Sequence, residues 1–244
     1  MSTLSSLLDE GKLDSAIEQV TASLRAKPDD LQLRTSLFEL LCLAGKWDRA
    51  EKQLDVLASS EERRTGALLY LGAITAERAR EDTVSRKAYG PPPEDGPVGG
   101  SLNGTPFSSI ADADPRVGAR LEVVMGADCM WIPFNKISTV RMEPPTRLRD
   151  LIWTPAQLLL RGSEIKAAQP RVLLPALSVF TWRHDDPQVR LGRMTVWEEA
   201  GESGMEVPRG QKMLLVDGEE VPLLEIRSLE FDTAAEPESP LPPE

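Results

Sequence analysis

The sequence predicts an α+β protein, in which a short array of helical repeats precedes a mostly antiparallel, β-rich region. Three observations predict it. A nine-residue motif recurs at a helical-hairpin spacing in the first third of the chain. The hydrophobic period changes from helical to two-residue in the second half. Glycine and proline punctuate the short apolar runs there. The 244 residues suffice for one large core or two small ones.

The repeat comes first. Gly11-Lys-Leu-Asp-Ser-Ala-Ile-Glu-Gln19 returns as Gly45-Lys-Trp-Asp-Arg-Ala-Glu-Lys-Gln53, with five of nine positions identical at an offset of 34 residues. That offset is the tetratricopeptide period, in which each unit is a pair of antiparallel helices. Gly11 and Gly45 permit the tight turn within each pair. Asp14 and Asp48 fall in the first turn of the second helix, where negative charge meets the positive end of the helix dipole. Ala16 and Ala50 are small where helices approach closely. Pro28-Asp-Asp30 closes one unit and caps the next helix. Helices are expected over 3–10, 13–26, 31–44, 47–58 and 61–82. Glu62 stands where Pro28 stood one period earlier, so the last is expected to be a lone capping helix. Two and a half units cannot form a long solenoid and must pack on something else.

From Gly90 to Pro106 the chain is dominated by glycine and proline and reads as a linker or mobile loop. Beyond it, Arg120–Met125 and Cys129–Phe134 flank Gly126-Ala-Asp128 as a hairpin, and Lys136–Met142 alternates apolar and polar as a half-buried strand does. Further strands are expected over 156–160, 171–174, 192–198, 212–216 and 220–226, the last two joined at Asp217-Gly218, a strong hairpin dipeptide. The expected division is a helical repeat domain over 1–89, a linker over 90–106, a β-rich domain over 107–231 and an acidic, disordered tail over 232–244. For the β-rich part, a compact sheet and a small barrel both fit.

Composition narrows the function. Net charge is −11; up to residue 90 there are 15 acids against 13 bases, leaving −2 there and −9 beyond. No cluster of Lys and Arg offers a surface for phosphates, which argues against nucleic acid. The amino terminus lacks the basic-then-apolar pattern of a secretory signal, and no run approaches the roughly 20 apolar residues of a membrane span. Cys42 and Cys129, far apart in apolar segments, read as buried thiols of a reducing compartment. A cytoplasmic protein is expected.

Ala111-Asp-Ala-Asp-Pro-Arg-Val-Gly118, Leu121-Glu-Val123, Trp131-Ile-Pro-Phe134, Ile137, Glu143-Pro-Pro145, Leu148-Arg-Asp-Leu-Ile-Trp-Thr-Pro-Ala156 and Arg193-Met-Thr-Val-Trp197, preceded by Asp185-Asp186, stand in one order. In order and spacing these segments, with the repeat ahead of them, resemble the ImpE/TagJ family of type VI secretion proteins. The resemblance implies a non-catalytic adaptor of a contractile injection machine, with the small sheath subunit TssB and the ClpV unfoldase as partners and no cofactor. The long Pro/Gly segment and the acidic tail depart from the family pattern and leave the orientation of the two halves open.

Candidate sites divide into chemistry and docking. Asp112 and Asp114 invite a metal reading, but Asp-Ala-Asp-Pro also fixes a turn through side-chain-to-backbone bonds. The single histidine, His184, sits in Trp182-Arg-His-Asp-Asp-Pro187, where adjacent loop residues rarely converge on one ion; a surface turn is the simpler reading. A metal-dependent hydrolase built on Asp112, Asp114 and His184 is the weakest alternative, and an assembly chaperone for other secretion components is the stronger one. No phosphate loop, nucleophile elbow or Cys/His signature is present. For docking, Arg34, Leu37, Phe38 and Leu41 lie on one helical face, and Trp47 extends it; such a face receives a peptide helix in repeat proteins, and packing of the repeat core is the other reading of each of these residues. Trp131, Phe134 and Trp153 are expected in the sheet core, although Trp and Arg are also enriched at interfaces. Arg149 is expected to pair with Asp150 and steady the loop after Glu143-Pro-Pro145. The candidate docking residues are therefore Arg34, Leu37, Phe38, Leu41, Trp47, Trp131, Arg149 and Trp153.

Overall fold

The computed structural model describes residues 3–88, 90–91, 96–162, 170–200 and 204–232. Five helices open the chain: α1 (Leu4–Asp9), α2 (Leu13–Ala26), α3 (Leu31–Leu43), α4 (Trp47–Ala58) and α5 (Arg64–Ser85). The turns inside each pair use left-handed glycines, Gly11 at φ 74° and Gly45 at φ 62°. Asp30 caps α3 by accepting hydrogen bonds from the Gln32 and Leu33 amides, each 3.0 Å long. Ala16 and Ala50 are fully buried where the helices meet. The fifth helix starts three residues later than expected, because its N-cap, Arg63, makes no side-chain capping bond and 61–63 form a turn.

Thirteen strands follow among the described residues, in three antiparallel sheets. They are β1 (Gly100–Leu102), β2 (Thr105–Phe107), β3 (Ile110–Asp112), β4 (Arg120–Met125), β5 (Asp128–Pro133), β6 (Ile137–Met142), β7 (Trp153–Leu160), β8 (Arg171–Pro175), β9 (Thr195–Ala200), β10 (Met205–Gly210), β11 (Met213–Val216), β12 (Glu219–Pro222) and β13 (Ser228–Phe231), with a one-turn helix α6 (Pro187–Arg190) after β8. The main sheet is open and runs β2-β1-β13-β6-β7-β8-β4-β5. A second has the order β12-β11-β3, and β9 and β10 form a ribbon. Val216 pairs with Glu219 across Asp217-Gly218, both at positive φ, so the expected dipeptide makes a two-residue hairpin turn.

The period of two along the strands divides the core. Val123, Val172, Leu174, Ala156 and Leu158 point to one face, packing with Phe134, Leu214 and Leu229. Val124, Trp153 and Leu173 point to the other and join the core of the helical repeats, with Leu37, Phe38, Leu41, Tyr70 and Ile74. The repeats thus find the surface they needed on one face of the sheet. Helix α5 crosses the β4–β5 hairpin so closely that a Cβ on Gly72 would lie 2.5 Å from the Gly126 carbonyl oxygen.

Several sequence expectations need correction. The segment 90–106 is not a linker throughout: Gly100–Leu102 and Thr105–Phe107 form a hairpin, with Asn103 (φ 50°) and Gly104 (φ 84°) as its turn. Asn-Gly is a hairpin signal that the surrounding glycines and prolines masked. Asn103 secures it from its side chain, accepting from the Arg227 and Ser228 amides and donating to the Glu225 carbonyl. Gly100 is needed because a Cβ would meet the Glu230 carbonyl oxygen at 2.2 Å. The strand expected from Gly192 begins at Thr195, since Gly192 ends α6 in the left-handed region. Leu223–Glu225 is a 3-10 turn, so β12 ends at Pro222. Three further strands, β3, β10 and β13, are absent from the sequence expectation; two are shorter than five residues, and β10 contains Pro208, which donates no ladder bond. The tail expected to be disordered lies, from residue 233, outside the described residues, as do 92–95 of the expected linker.

Candidate functional site

The seam between repeats and sheet gathers most of the candidate docking residues, but not as an open groove. Leu37, Phe38 and Leu41 are buried in the joint core. Trp47 and Trp153 lie with ring centroids 6.2 Å apart, Trp153 and Tyr70 at 6.1 Å, and Phe38 and Tyr70 at 5.6 Å, a run of tilted aromatic contacts from helix to strand. Trp153 is fully buried in this seam, and Phe134 on the opposite face of the sheet. The groove weighed for α3 is corrected accordingly: that helical face is buried in the core that the repeats share with the sheet. Arg34 is used within the repeats, donating to Gln53 Oε1 at 2.9 Å and to the Pro28 carbonyl at 2.7 Å.

Arg149 does not pair with Asp150. Consecutive residues in a 3-10 turn point in different directions, and here they serve opposite sides. Asp150 accepts from the Thr146 and Arg147 amides, at 3.0 and 2.9 Å, and so holds its own loop. Arg149 crosses the seam to Glu39 Oε1 at 2.5 Å and to the Tyr70 hydroxyl at 3.1 Å, its guanidinium 5.1 Å from the Tyr70 ring centre. Burial raises the Glu39 carboxyl above its ordinary value, against the pull of Arg149.

Trp131 lies apart from these residues and marks a second feature. Its indole N–H donates to Glu122 Oε1 at 2.8 Å, with Arg120 over the ring at 4.7 Å. Glu122 is the hub of a buried charge cluster. Arg80 of α5 grips it through Nε and Nη2 at 2.7–3.1 Å, and also donates to Glu77 at 2.9 Å and to the Leu177 carbonyl at 3.1 Å. Lys212, in the link between β10 and β11, places Nζ 2.6 Å from both Glu122 and Asp112. All five side chains are buried. Burial pushes the Asp112 carboxyl up to about 6 despite Lys212. Burial acts on Glu122 in the same sense, but Arg80 and Lys212 together outweigh it and hold that carboxyl well below the usual range. Glu77 is raised by burial. Beside the cluster, Glu81 accepts from the Trp182 indole at 2.7 Å and the Trp47 indole at 3.3 Å, joining α5 to the loop after β8.

The sequence carried no signal for this cluster. Its members come from α5, β3, β4 and the β10–β11 link, and Ala76-Glu-Arg-Ala-Arg-Glu-Asp82 reads as a solvated helix face. Asp112 and Asp114 make the side-chain-to-backbone bonds expected of a turn, to the Asp114 and Arg116 amides. Their remaining oxygens are taken by Lys212 and by Arg116, the latter at 2.5 Å. His184 belongs to a separate turn, where Nδ1 accepts from the Asp186 amide and Nε2 lies 3.5 Å from Glu198. The three residues of the hydrolase reading are therefore each engaged by different partners. Cys42 is buried and Cys129 half-buried, both free thiols raised by burial, Cys129 to about 12. Among the described residues, no helix is long and apolar enough to cross a membrane.

Comparison with known proteins bears on this arrangement from outside. A family model described as "ImpE protein" matches residues 104–230, and one described as "Tetratricopeptide repeat" matches residues 7–70. The chain is 31% identical over 261 aligned residues to the "Type VI secretion system accessory component TagJ" of Pseudomonas aeruginosa, covering 93% of this chain and 90% of that one. An X-ray structure of a Vibrio parahaemolyticus protein superposes with a TM-score of 0.81 at 23% identity, covering 95% of this chain and 98% of the other, which shows the same fold.

Proposed function

This chain belongs to the ImpE family, and on that premise we propose that it is a non-catalytic accessory component of a type VI secretion system, working in the cytoplasm as an adaptor. The observation that carries the reading is the similarity to TagJ along almost the whole of both chains, helical repeats and sheet included. The charge cluster fits an adaptor, because its buried carboxylates are each held by Arg80 or Lys212 and serve the joint between the halves. In this reading the chain docks a helix of the small sheath subunit TssB and tunes disassembly of contracted sheath by the ClpV unfoldase. The centre of the seam is not the docking face, since Leu37, Leu41 and Trp153 are occupied there.

Titrating the purified full chain with a synthetic N-terminal helix of the sheath subunit tests the partner directly. Saturable binding in the micromolar range or tighter supports it. A pull-down from the native bacterium that recovers neither sheath nor unfoldase, together with no binding in the titration, overturns the proposal.

A further inference from the structure

Between the first half of α3, the turn from α4 to α5, and the loop that follows β6 lies a cleft of about 710 Å³, with Thr35, Glu39, Arg63, Gly66, Arg147 and Arg149 among its lining residues. It runs into an apolar recess bordered by Phe38, Leu54, Leu57 and Tyr70 and sharing Thr35, Arg63, Gly66 and Arg149 with it. Clefts of this size at the meeting of two structural units are where ligands most often bind.

Three guanidiniums face this space, and their donors outnumber the acceptors supplied by the protein. A guanidinium carries five N–H donors. Arg149 spends one on Tyr70 and one on Glu39. Arg63 reaches Thr35 Oγ1 only at 3.4 Å, its buried Nε has no hydrogen-bond acceptor, and a Glu62 oxygen stands 3.7 Å away. Arg147 is exposed and enters none of the ion pairs found among the described residues. Glu39 and Glu62 line the cleft and the Asp150 carboxylate stands behind it on the Thr146 and Arg147 amides, so formal charge is balanced there and what is in excess is hydrogen-bond donors. The wall carrying Arg147 and Arg149 is pre-set, since Asp150 fastens the Thr146 and Arg147 amides just after Pro144-Pro145. Opposite it, Gly66 leaves open space, with nothing within 4 Å of where a Cβ would stand.

We propose that this cleft binds an acidic, apolar-flanked segment of a partner protein, seating a side-chain carboxylate among Arg63, Arg147 and Arg149 and the neighbouring apolar side chain in the recess beside Phe38 and Tyr70. Arginine is the side chain suited to a carboxylate, which it holds by two parallel hydrogen bonds. Spare donors without a surplus of positive charge suit one carboxylate rather than a polyanion, and the recess asks for an apolar group beside it. The inference deepens the adaptor reading and rests on it only in taking the ligand to be part of a protein.

A random dodecamer phage library panned on the immobilised full chain tests it. Enriched peptides are expected to carry Asp or Glu within three positions of Leu, Ile, Phe or Trp. Synthetic copies should bind Gly66→Trp, which fills the cleft, and Arg147→Glu at least tenfold more weakly, and Gly66→Ala within twofold. Unchanged circular dichroism and melting temperature show that the variants are folded; should Arg147→Glu fail that check, Gly66→Trp alone decides. Absence of enrichment, a basic consensus, or peptides indifferent to Gly66→Trp overturns the proposal. Displacement of the selected peptide by a synthetic Thr233–Glu244 would also overturn it, by making the chain's own acidic tail the occupant. Should the cleft fail these tests while the unaltered chain still binds the sheath-subunit helix, the cleft assignment falls and the adaptor reading stands.

Discussion

At Gly45 the backbone takes a φ of 62°, and a Cβ there would stand 2.2 Å from the Trp182 ring. Two independent penalties thus fall on one methyl group: the left-handed conformation, costing an L residue about 1–2 kcal/mol, and a collision with an indole held in place by its bond to Glu81. Gly45→Ala is expected to destabilise the protein by about 2–4 kcal/mol in urea unfolding. Gly66 is the opposite case. It lies inside α5 at ordinary helical φ with open space beyond its Cα, so Gly66→Ala should stabilise by about 0.5–1 kcal/mol. A loss at Gly66, or a neutral change at Gly45, would show that the local environments are not those described. The turn role of Gly45 was legible from the repeat, because a helical hairpin requires such a residue at that place. Its contact with Trp182 was not, because only the fold brings a residue of the loop after β8 to the first repeat turn.

The helices and strands divide in the same way. Those with a strong period or a capping residue were legible to within a few residues: α2, α3 and α4 through repeat and caps, β4 with β5 and β11 with β12 through their turns. What composition obscured was the β1–β2 hairpin, where Asn103-Gly104 sat among glycines and prolines that read as spacer. The charge cluster was illegible for a different reason. A helix-borne arginine such as Arg80 looks solvated until its tertiary partners, Glu122 above all, are known. Removing it leaves Glu122 and Glu77 buried with less compensation, so Arg80→Met is expected to cost about 3–5 kcal/mol, whereas breaking the exposed Arg86–Asp82 pair should change stability within error. The cluster also sets a pH dependence. Asp112 has a folded pKa of about 6, above its unfolded value of 3.8, so folding binds a proton there. Its contribution is full below the unfolded value and is lost as pH rises through about 6. Glu122 has the opposite sign, its contribution being lost on acidification. Urea unfolding of Asp112→Asn, whose side chain stays neutral, should lack the fall in stability with rising pH that Asp112 gives the unaltered chain between pH 3.8 and about 6. Parallel curves would place the titration elsewhere.

At the scale of the whole molecule, the two-part division of the sequence does not become two independent bodies. One core holds Leu37, Phe38, Tyr70 and Ile74 from the helices together with Val124, Trp153 and Leu173 from the strands. Gly72 on Gly126, Arg149 on Glu39 and Arg80 on Glu122 cross the same boundary. The physical reason is the shortness of the array: two and a half repeats leave an apolar face that further repeats would otherwise cover, and the sheet covers it instead. Such a shared core couples unfolding of the halves. Trp47, Trp153 and Trp182 lie along the seam, so intrinsic fluorescence reports on the joint, while far-ultraviolet circular dichroism reports mainly on the helices. The two signals are expected to trace one coincident urea transition, and a polypeptide ending at Ala88 is expected to bind a hydrophobic dye and melt without a sharp transition, having lost the strands that bury Leu37, Phe38 and Tyr70. Arg80→Met shifts the midpoint but keeps the traces together, because the apolar seam persists without the ion pairs. Two separated transitions in the unaltered chain, or a sharply melting helical fragment, would mean that the seam is a contact between self-sufficient domains, and the cleft beside it would then open and close with their relative motion.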